Sequence, residues 1–280
     1  MKKISKLLGI FLFLIIGIYE TSNIVENLQE KDEIMIKIKE SNSKYVIKPV
    51  NAEIKENEII PGIYGTEIDY KKSYNNMKKY GTYNESLTVL KDNKPSISID
   101  NSYDKYISKG NSNNRNVSLV FIIEEEGQLQ QLLNFLKNKN INITIFIDGS
   151  IIENNINAIK ELKKQELEIL SYKSSYDEVF LKTSFSYLET ITNKKVKYCY
   201  TEKENSELLK ICSKEKMHTI KPKIIIKNNL LKNIKDSLEN SIIFAIEKYE
   251  YNDLLLAIEY IKSKGYNIVT LDCLLSEKVC

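Results

Sequence analysis

The 280-residue chain contains a single histidine, His218, so no site built on two imidazoles can form within it. Oxygen donors are the other route to a cation. Glu124, Glu125 and Glu126 stand in a row, and with Asp148 they offer the carboxylates that a hard divalent ion prefers. The same run also reads as a solvated acidic turn at a strand end, and His218, near the start of a strand-like stretch, reads as structural. Four cysteines, Cys199, Cys212, Cys273 and Cys280, include no C-x-x-C pair, which argues against a zinc knuckle or a thioredoxin-type centre. Outside the cytosol a disulfide such as Cys199 to Cys212 is open to them, and spacing leaves the pairing undecided. A further set is Tyr172, Tyr176, Tyr198 and Tyr200, with acids that include Glu247. Ring faces cover the C–H groups of a pyranose while carboxylates accept its hydroxyls, so such a set could line a sugar groove. The absence of tryptophan counts mildly against a carbohydrate-binding specialist.

The elements that must hold these residues can be read from periodicity. Residues 117–123 are strand-like, and Leu129, Leu132, Leu133 and Leu136 then recur at helical spacing. The pairing repeats: residues 141–147 before Ile156, Ile159 and Leu162, residues 167–172 before Phe185, Leu188 and Ile191, residues 196–200 before Leu208, Leu209 and Cys212. Strands are expected at 218–220, 223–226 and 241–246, helices around 230–238 and through Leu254, Ala257, Ile258 and Ile261, and a last strand at 266–271. Such alternation implies parallel strands, and an α/β barrel, complete or distorted, suits it better than an open sheet. The four tyrosines would then stand at the C-terminal ends of neighbouring strands, the face on which barrels assemble their sites.

The preceding part is less regular. Ile34, Ile36 and Ile38 alternate as in a strand, Pro61-Gly62 marks a turn, and Tyr70, Tyr74 and Met77 fall at helical spacing. Residues 23–116 are read as a stalk and small α+β extension, ending in a polar linker at 91–116, with the main domain at 117–280. At the start, Lys2, Lys3 and Lys6 precede residues 7–19, thirteen residues without a charge, the order of an export signal. No small-x-small cleavage site follows, so residues 1–22 are read as a membrane anchor or a signal peptide, with the rest outside the cytoplasmic membrane. The 41 basic and 38 acidic residues leave a net charge of +3 with no basic block, and nucleic-acid binding is not expected.

Three pieces carry a resemblance: the run Val117 to Phe121, the strand Ile143 to Phe146 followed by Asp148-Gly149, and the finish Leu254 to Leu271. In order and separation they resemble the NodB-type polysaccharide deacetylase domain, and the resemblance implies its distorted (β/α) barrel. In that family one strand ends in T-F-D-D-G, whose aspartates serve as base and metal ligand, and an H-x-x-x-H completes the metal site. The matching positions here are Ile122 and Ile123, and Tyr172 to Tyr176. The family's R-x-P-Y-G corresponds to residues 198–202, and its late L-x-H to Phe244-Ala245-Ile246. A phenol with pKa near 10 is a poor substitute for a ligating imidazole, so no catalytic residue, metal or cofactor is expected. Candidate ligand-binding residues are Glu124, Glu125, Asp148, Tyr172, Tyr176, Tyr198, Tyr200 and Glu247, unless the tyrosines plug the vacated cavity. The sequence thus reads as an inactive deacetylase homologue at the cell envelope, binding glycan or an envelope protein. Two alternatives stay open: a working N-deacetylase with relocated ligands, such as Glu124 to Glu126 with Asp148, and a purely structural protein of the envelope or spore surface.

Overall fold

Residues 33–40, whose isoleucines alternate, form a helix rather than a strand. The computed structural model describes residues 27–111, 114–137, 139–171, 177–278 and 280. The apolar run at 7–19 therefore lies outside the described residues, among which no helix is long and apolar enough to cross a membrane. In chain order come α1 (Glu33–Glu40), β1 (Glu53–Lys55), β2 (Glu58–Ile60), β3 (Gly65–Ile68), α2 (Tyr70–Lys78), β4 (Leu90–Asn93) and β5 (Tyr106–Ile107). The described chain divides into two units: residues up to Pro49 with Gly65–Asn93, and Val50–Tyr64 with Lys94–Cys280.

In the smaller unit Asp32 decides the start of α1. Its Oδ1 accepts the Ile34 amide at 2.9 Å, an N-cap, while Oδ2 accepts the Tyr74 hydroxyl at 3.1 Å and pairs with Lys78, both from α2. Ile34, Met35 and Ile38 are buried against Ile68, Tyr74 and Met77, whereas Ile36 is exposed. Burial at i, i+1 and i+4 is a helical stripe, and it overrides the alternation of the isoleucines. The helix expected around Tyr70, Tyr74 and Met77 is α2, and β3 pairs antiparallel with β4.

The larger unit continues with β6 (Asn116–Ile123), α3 (Glu126–Leu136), β7 (Thr144–Asp148), α4 (Ile156–Glu161), β8 (Glu166–Leu170), α5 (Glu178–Thr192), β9 (Tyr198–Tyr200) and α6 (Ser206–Lys214). It ends with β10 (His218–Ile220), β11 (Ile224–Ile226), α7 (Leu230–Ser237), β12 (Ile243–Ile246), α8 (Tyr251–Ser263), β13 (Asn267–Ile268) and α9 (Leu271–Leu275). One sheet runs β11-β12-β6-β7-β8, with every pairing parallel, and β13 joins the start of β6. The other runs β1-β2-β5-β10-β9, parallel from β2 onward.

The segment 218–226 belongs to both sheets: its first half, β10, pairs with β9, and its second half, β11, pairs with β12. On the far side β8 and β9 are joined by side chains. Glu168 Oε2 accepts the amides of Lys197 and Tyr198 at 2.9 and 3.0 Å. Ser171 Oγ accepts the Tyr200 amide at 2.9 Å and donates to the Tyr200 carbonyl at 3.2 Å. These bonds occupy backbone groups that a ladder would otherwise pair. The result is a mixed α/β, barrel-like arrangement of parallel strands, as the repeating strand–helix pattern implies.

Two apolar layers follow from strand alternation. Leu119, Phe121, Ile123, Ile145, Ile147 and Ile169 join the helices' buried faces in one large cluster. Val120, Ile122, Phe146, Leu170, Tyr200, Ile220 and Ala245 form a second cluster with Ile59, Ile99, Ile107 and Leu271. The polar stretch 91–116 is thus no simple linker. Its Leu90–Asn93 end is strand, Ile99 and Ile107 are buried, and Tyr106 pairs with Thr219. Polar composition hid this because the segment is held by Glu277, which accepts from Ser98 Oγ, the Ile99 amide and the Gly62 amide. The strand expected at 266–271 is likewise only β13, since Thr270 caps α9.

Candidate functional site

The C-terminal ends of the parallel strands gather six polar side chains through register alone. Ile123 is level with Ile147, Asp148 with Leu170, and Ile246 with both Phe121 and Ile226. Glu124, Asp148, Ser171, Glu202, Lys227 and Glu247 therefore sit at or just beyond this end of their strands. Lys227 Nζ lies 3.4 Å from Glu202 and 3.2 Å from Glu247. Burial pushes the Glu247 carboxyl up, the lysine opposes that, and the nearby Glu202 adds to it. Gln128 ties the rim together: its Oε1 accepts the Glu124 and Glu125 amides at 2.8 and 3.1 Å, and its Nε2 donates to the Glu247 carbonyl at 3.2 Å. Sequence reading missed Glu202 and Lys227. Their signal was available, since Lys227 directly follows the end of β11 and Glu202 stands two residues past the end of β9.

The other candidates fall differently. Glu125 and Glu126 are exposed at the start of α3, where Glu125 is the N-cap residue. Asp148 is 1% exposed, and its Oδ1 accepts the amide and hydroxyl of Ser150 at 2.9 and 2.8 Å. The following Gly149 lies so close to α5 that a Cβ there would stand 2.2 Å from Ser184 Oγ, so the Asp-Gly pair has a packing reason. No group of three His, Cys, Asp or Glu residues is placed to hold a metal among the described residues. Ile122 and Ile123 are 2% and 1% exposed and point into opposite apolar clusters, so neither strand-end position supplies a donor.

Tyr198 and Tyr200 do not form a surface platform with the C-terminal rim. Tyr200 is completely buried, its ring 5.5 Å from that of Phe146. Tyr198 opens β9 rather than ending it, and its hydroxyl meets Asp272 of α9 at 3.4 Å. Burial, then the charges of Glu166 and Asp272, push its phenol far up. Period-two alternation puts both rings on one side of the strand but does not say at which end of the barrel each stands. Tyr172 and Tyr176 lie outside the described residues. His218 opens β10 and is 8% exposed, stacked on Tyr103 with ring centroids 4.5 Å apart. It stands at the opposite end from the Glu202–Lys227–Glu247 rim.

These elements and their order are the fold of the NodB-type polysaccharide deacetylases, family 4 of the carbohydrate esterases. A pseudoenzyme of that family from Bacillus anthracis superposes with a TM-score of 0.64 at 23% identity, covering 89% of this chain and 97% of its own. A mutant of the same pseudoenzyme with restored enzymatic activity gives 0.66 at 23% identity, over 89% of this chain and all of the other. PdaA of Bacillus subtilis, a family 4 carbohydrate esterase, gives 0.53 at 16% identity, covering 81% and 97%. In sequence, the uncharacterized protein YlxY of Bacillus subtilis strain 168 is 27% identical over 151 residues, 53% of this chain and 47% of the relative. The chain thus spans about half the length of the curated relative it matches. No protein-family profile matches the sequence. The resemblance read from three short sequence pieces is borne out at the level of fold.

Proposed function

We propose that this protein is a deacetylase homologue without metal-dependent hydrolysis, which uses the C-terminal rim of its barrel to bind glycan at the cell envelope. One observation carries the reading: the chain's sole imidazole, His218, is stacked on Tyr103 at the end of the barrel opposite the rim. At the rim, the strand ends at Ile123 and Ile246 are apolar. A zinc hydrolase needs several ligands and an open position on one face, and among the described residues the rim's carboxylates form no group of three placed to hold a metal ion. That a family 4 pseudoenzyme shares the fold supports the reading. Two carboxylates, each within 3.4 Å of one lysine, can accept from sugar hydroxyls while the lysine donates to them, without any metal. The envelope location rests on the basic-then-apolar start of the sequence and on the pairing of all four cysteines, Cys199 with Cys212 and Cys273 with Cys280.

Elemental analysis of the full chain, with acetate release from acetylated peptidoglycan and chitin oligomers, is the test. No stoichiometric transition metal and no acetate are expected, and one tightly held metal ion per chain would overturn the reading. For binding, Lys227→Met should weaken glycan pull-down while lowering stability by only about 1 kcal/mol, since Lys227 itself is 57% exposed although Glu202 and Glu247 are half-buried. Topology is best followed by protease added outside spheroplasts, because Cys280 is bonded to Cys273 and offers no thiol to an impermeant reagent.

A further inference from the structure

A cavity of about 410 Å³ opens at the N-terminal ends of β9 and β10, away from the rim. Its volume lies within the roughly 300–1,000 Å³ usual for small-molecule sites. Tyr64, Tyr103, Tyr198 and His218 supply ring surface to its wall. His218, though 8% exposed, makes no side-chain hydrogen bond among the described residues, and its Nδ1 is wholly buried without a partner. Burial pushes this imidazole down to about 4, so it is neutral near pH 7 and can donate a hydrogen bond.

The charges in the wall are unequally committed. Asp272 pairs with Lys197 at 2.6 Å, Glu277 accepts from two amides and the Ser98 hydroxyl, and Asp100 lies within 3.5 Å of the Tyr64 hydroxyl. Lys278 sits over the Tyr64 ring at 5.4 Å. Lys195 and Lys216 have no ion pair or side-chain hydrogen bond among the described residues. Lys216 also occupies a left-handed backbone position, φ 56°, where glycine is less strained. The cavity therefore combines uncommitted positive charge with ring faces, while its acids are largely engaged.

We propose that this cavity binds a small acidic sugar, its carboxylate or phosphate met by Lys195 and Lys216 and its ring lying along the tyrosine and imidazole wall. Rings suit the C–H faces of a pyranose, and the uncommitted lysines favour an anion over a neutral sugar. This site is independent of glycan binding at the opposite rim.

Because the chain has one histidine, the imidazole Cε1–H gives a single reporter resonance in the NMR spectrum of the full chain. Titration with glucuronate and with glucose 6-phosphate should move that resonance saturably with at least one of them, and the better ligand distinguishes carboxylate from phosphate. Glucose should leave it in place. Lys195→Met combined with Lys216→Gly should weaken binding by about tenfold or more, and the glycine relieves the backbone at 216, so the fold is kept. An unmoved resonance with both acids at millimolar concentration, an equal response to glucose, or unchanged affinity in the double variant would overturn the assignment. Binding confined to the rim would leave the reporter still, which separates the two sites.

Discussion

Glu166 and His218 are partly hidden titratable groups whose effects on stability oppose one another. Burial pushes the Glu166 carboxyl from 4.5 to about 7, although the Thr144 hydroxyl and the Asp272 amide favour its ionised form. A raised carboxyl binds its proton more tightly in the folded state, so its stabilisation is complete below pH 4.5 and lost as pH rises to about 7. His218, pushed down from 6.5 to about 4, does the reverse: its contribution is present above pH 6.5 and lost as pH falls towards 4. At about 1.4 kcal/mol per pKa unit each is worth at most roughly 3–4 kcal/mol. Thermal melts from pH 4.5 to 7 should therefore tilt in opposite directions: stability rising more steeply with pH than in the wild type for Glu166→Gln, and less steeply for His218→Phe. Parallel curves for all three proteins would show that neither group is perturbed as described. At this scale the sequence was a partial guide. It showed that Ile122, Ile123 and Ile246 cannot ligate a metal, because residue type decides that. It could not show that Tyr200 is interior, since burial depends on which strands close around it. Tyr200→Ala should cost roughly 3–5 kcal/mol, read as a fallen melting temperature, whereas a surface ring would cost little.

Among elements, the strand–helix alternation from residue 116 to 263 was legible because each helix buries one stripe and each strand is short and apolar. What escaped was either local competition or long-range pairing. Ile34 and Ile38 looked like strand until α2 provided a partner for one helical face. Likewise β5 is only two residues long, and nothing in residues 106–107 announces Thr219 and Ile220 as neighbours. The junction between β8 and β9 is the element most open to test, since Ser171 and Glu168 stand in for backbone pairing there. Ser171→Ala leaves the buried Tyr200 amide without its acceptor, a loss of about 1–3 kcal/mol. Hydrogen exchange at Tyr198 and Tyr200 should accelerate in that variant well before exchange in β6 and β7. Uniform acceleration would mean that the junction opens only with the whole barrel.

At the scale of the molecule, the bond between Cys199 of β9 and Cys212 of α6 closes a loop with a sequence separation of 13. A loop of that length contributes about 3 kcal/mol, and a paired serine variant should melt roughly 6–12 °C lower. A melt indifferent to reducing agent would show that the bridge is not formed in the purified protein. The division of the chain was misread at this scale too. Residues 50–64 and 94–116 belong with the barrel, although neither has its periodicity, because their partners are distant in sequence. That separation has a biosynthetic consequence. Emerging well before β5, β1 and β2 can form only a hairpin, since β2 must wait for Tyr106, and β5 in turn for Thr219. Until residues near 220 have been made, the nascent chain carries strand edges with no neighbour, the condition under which incomplete chains self-associate. Chains halted before residue 218 should accordingly need a holding chaperone or fall prey to proteases, whereas chains extended past Ile246 should not.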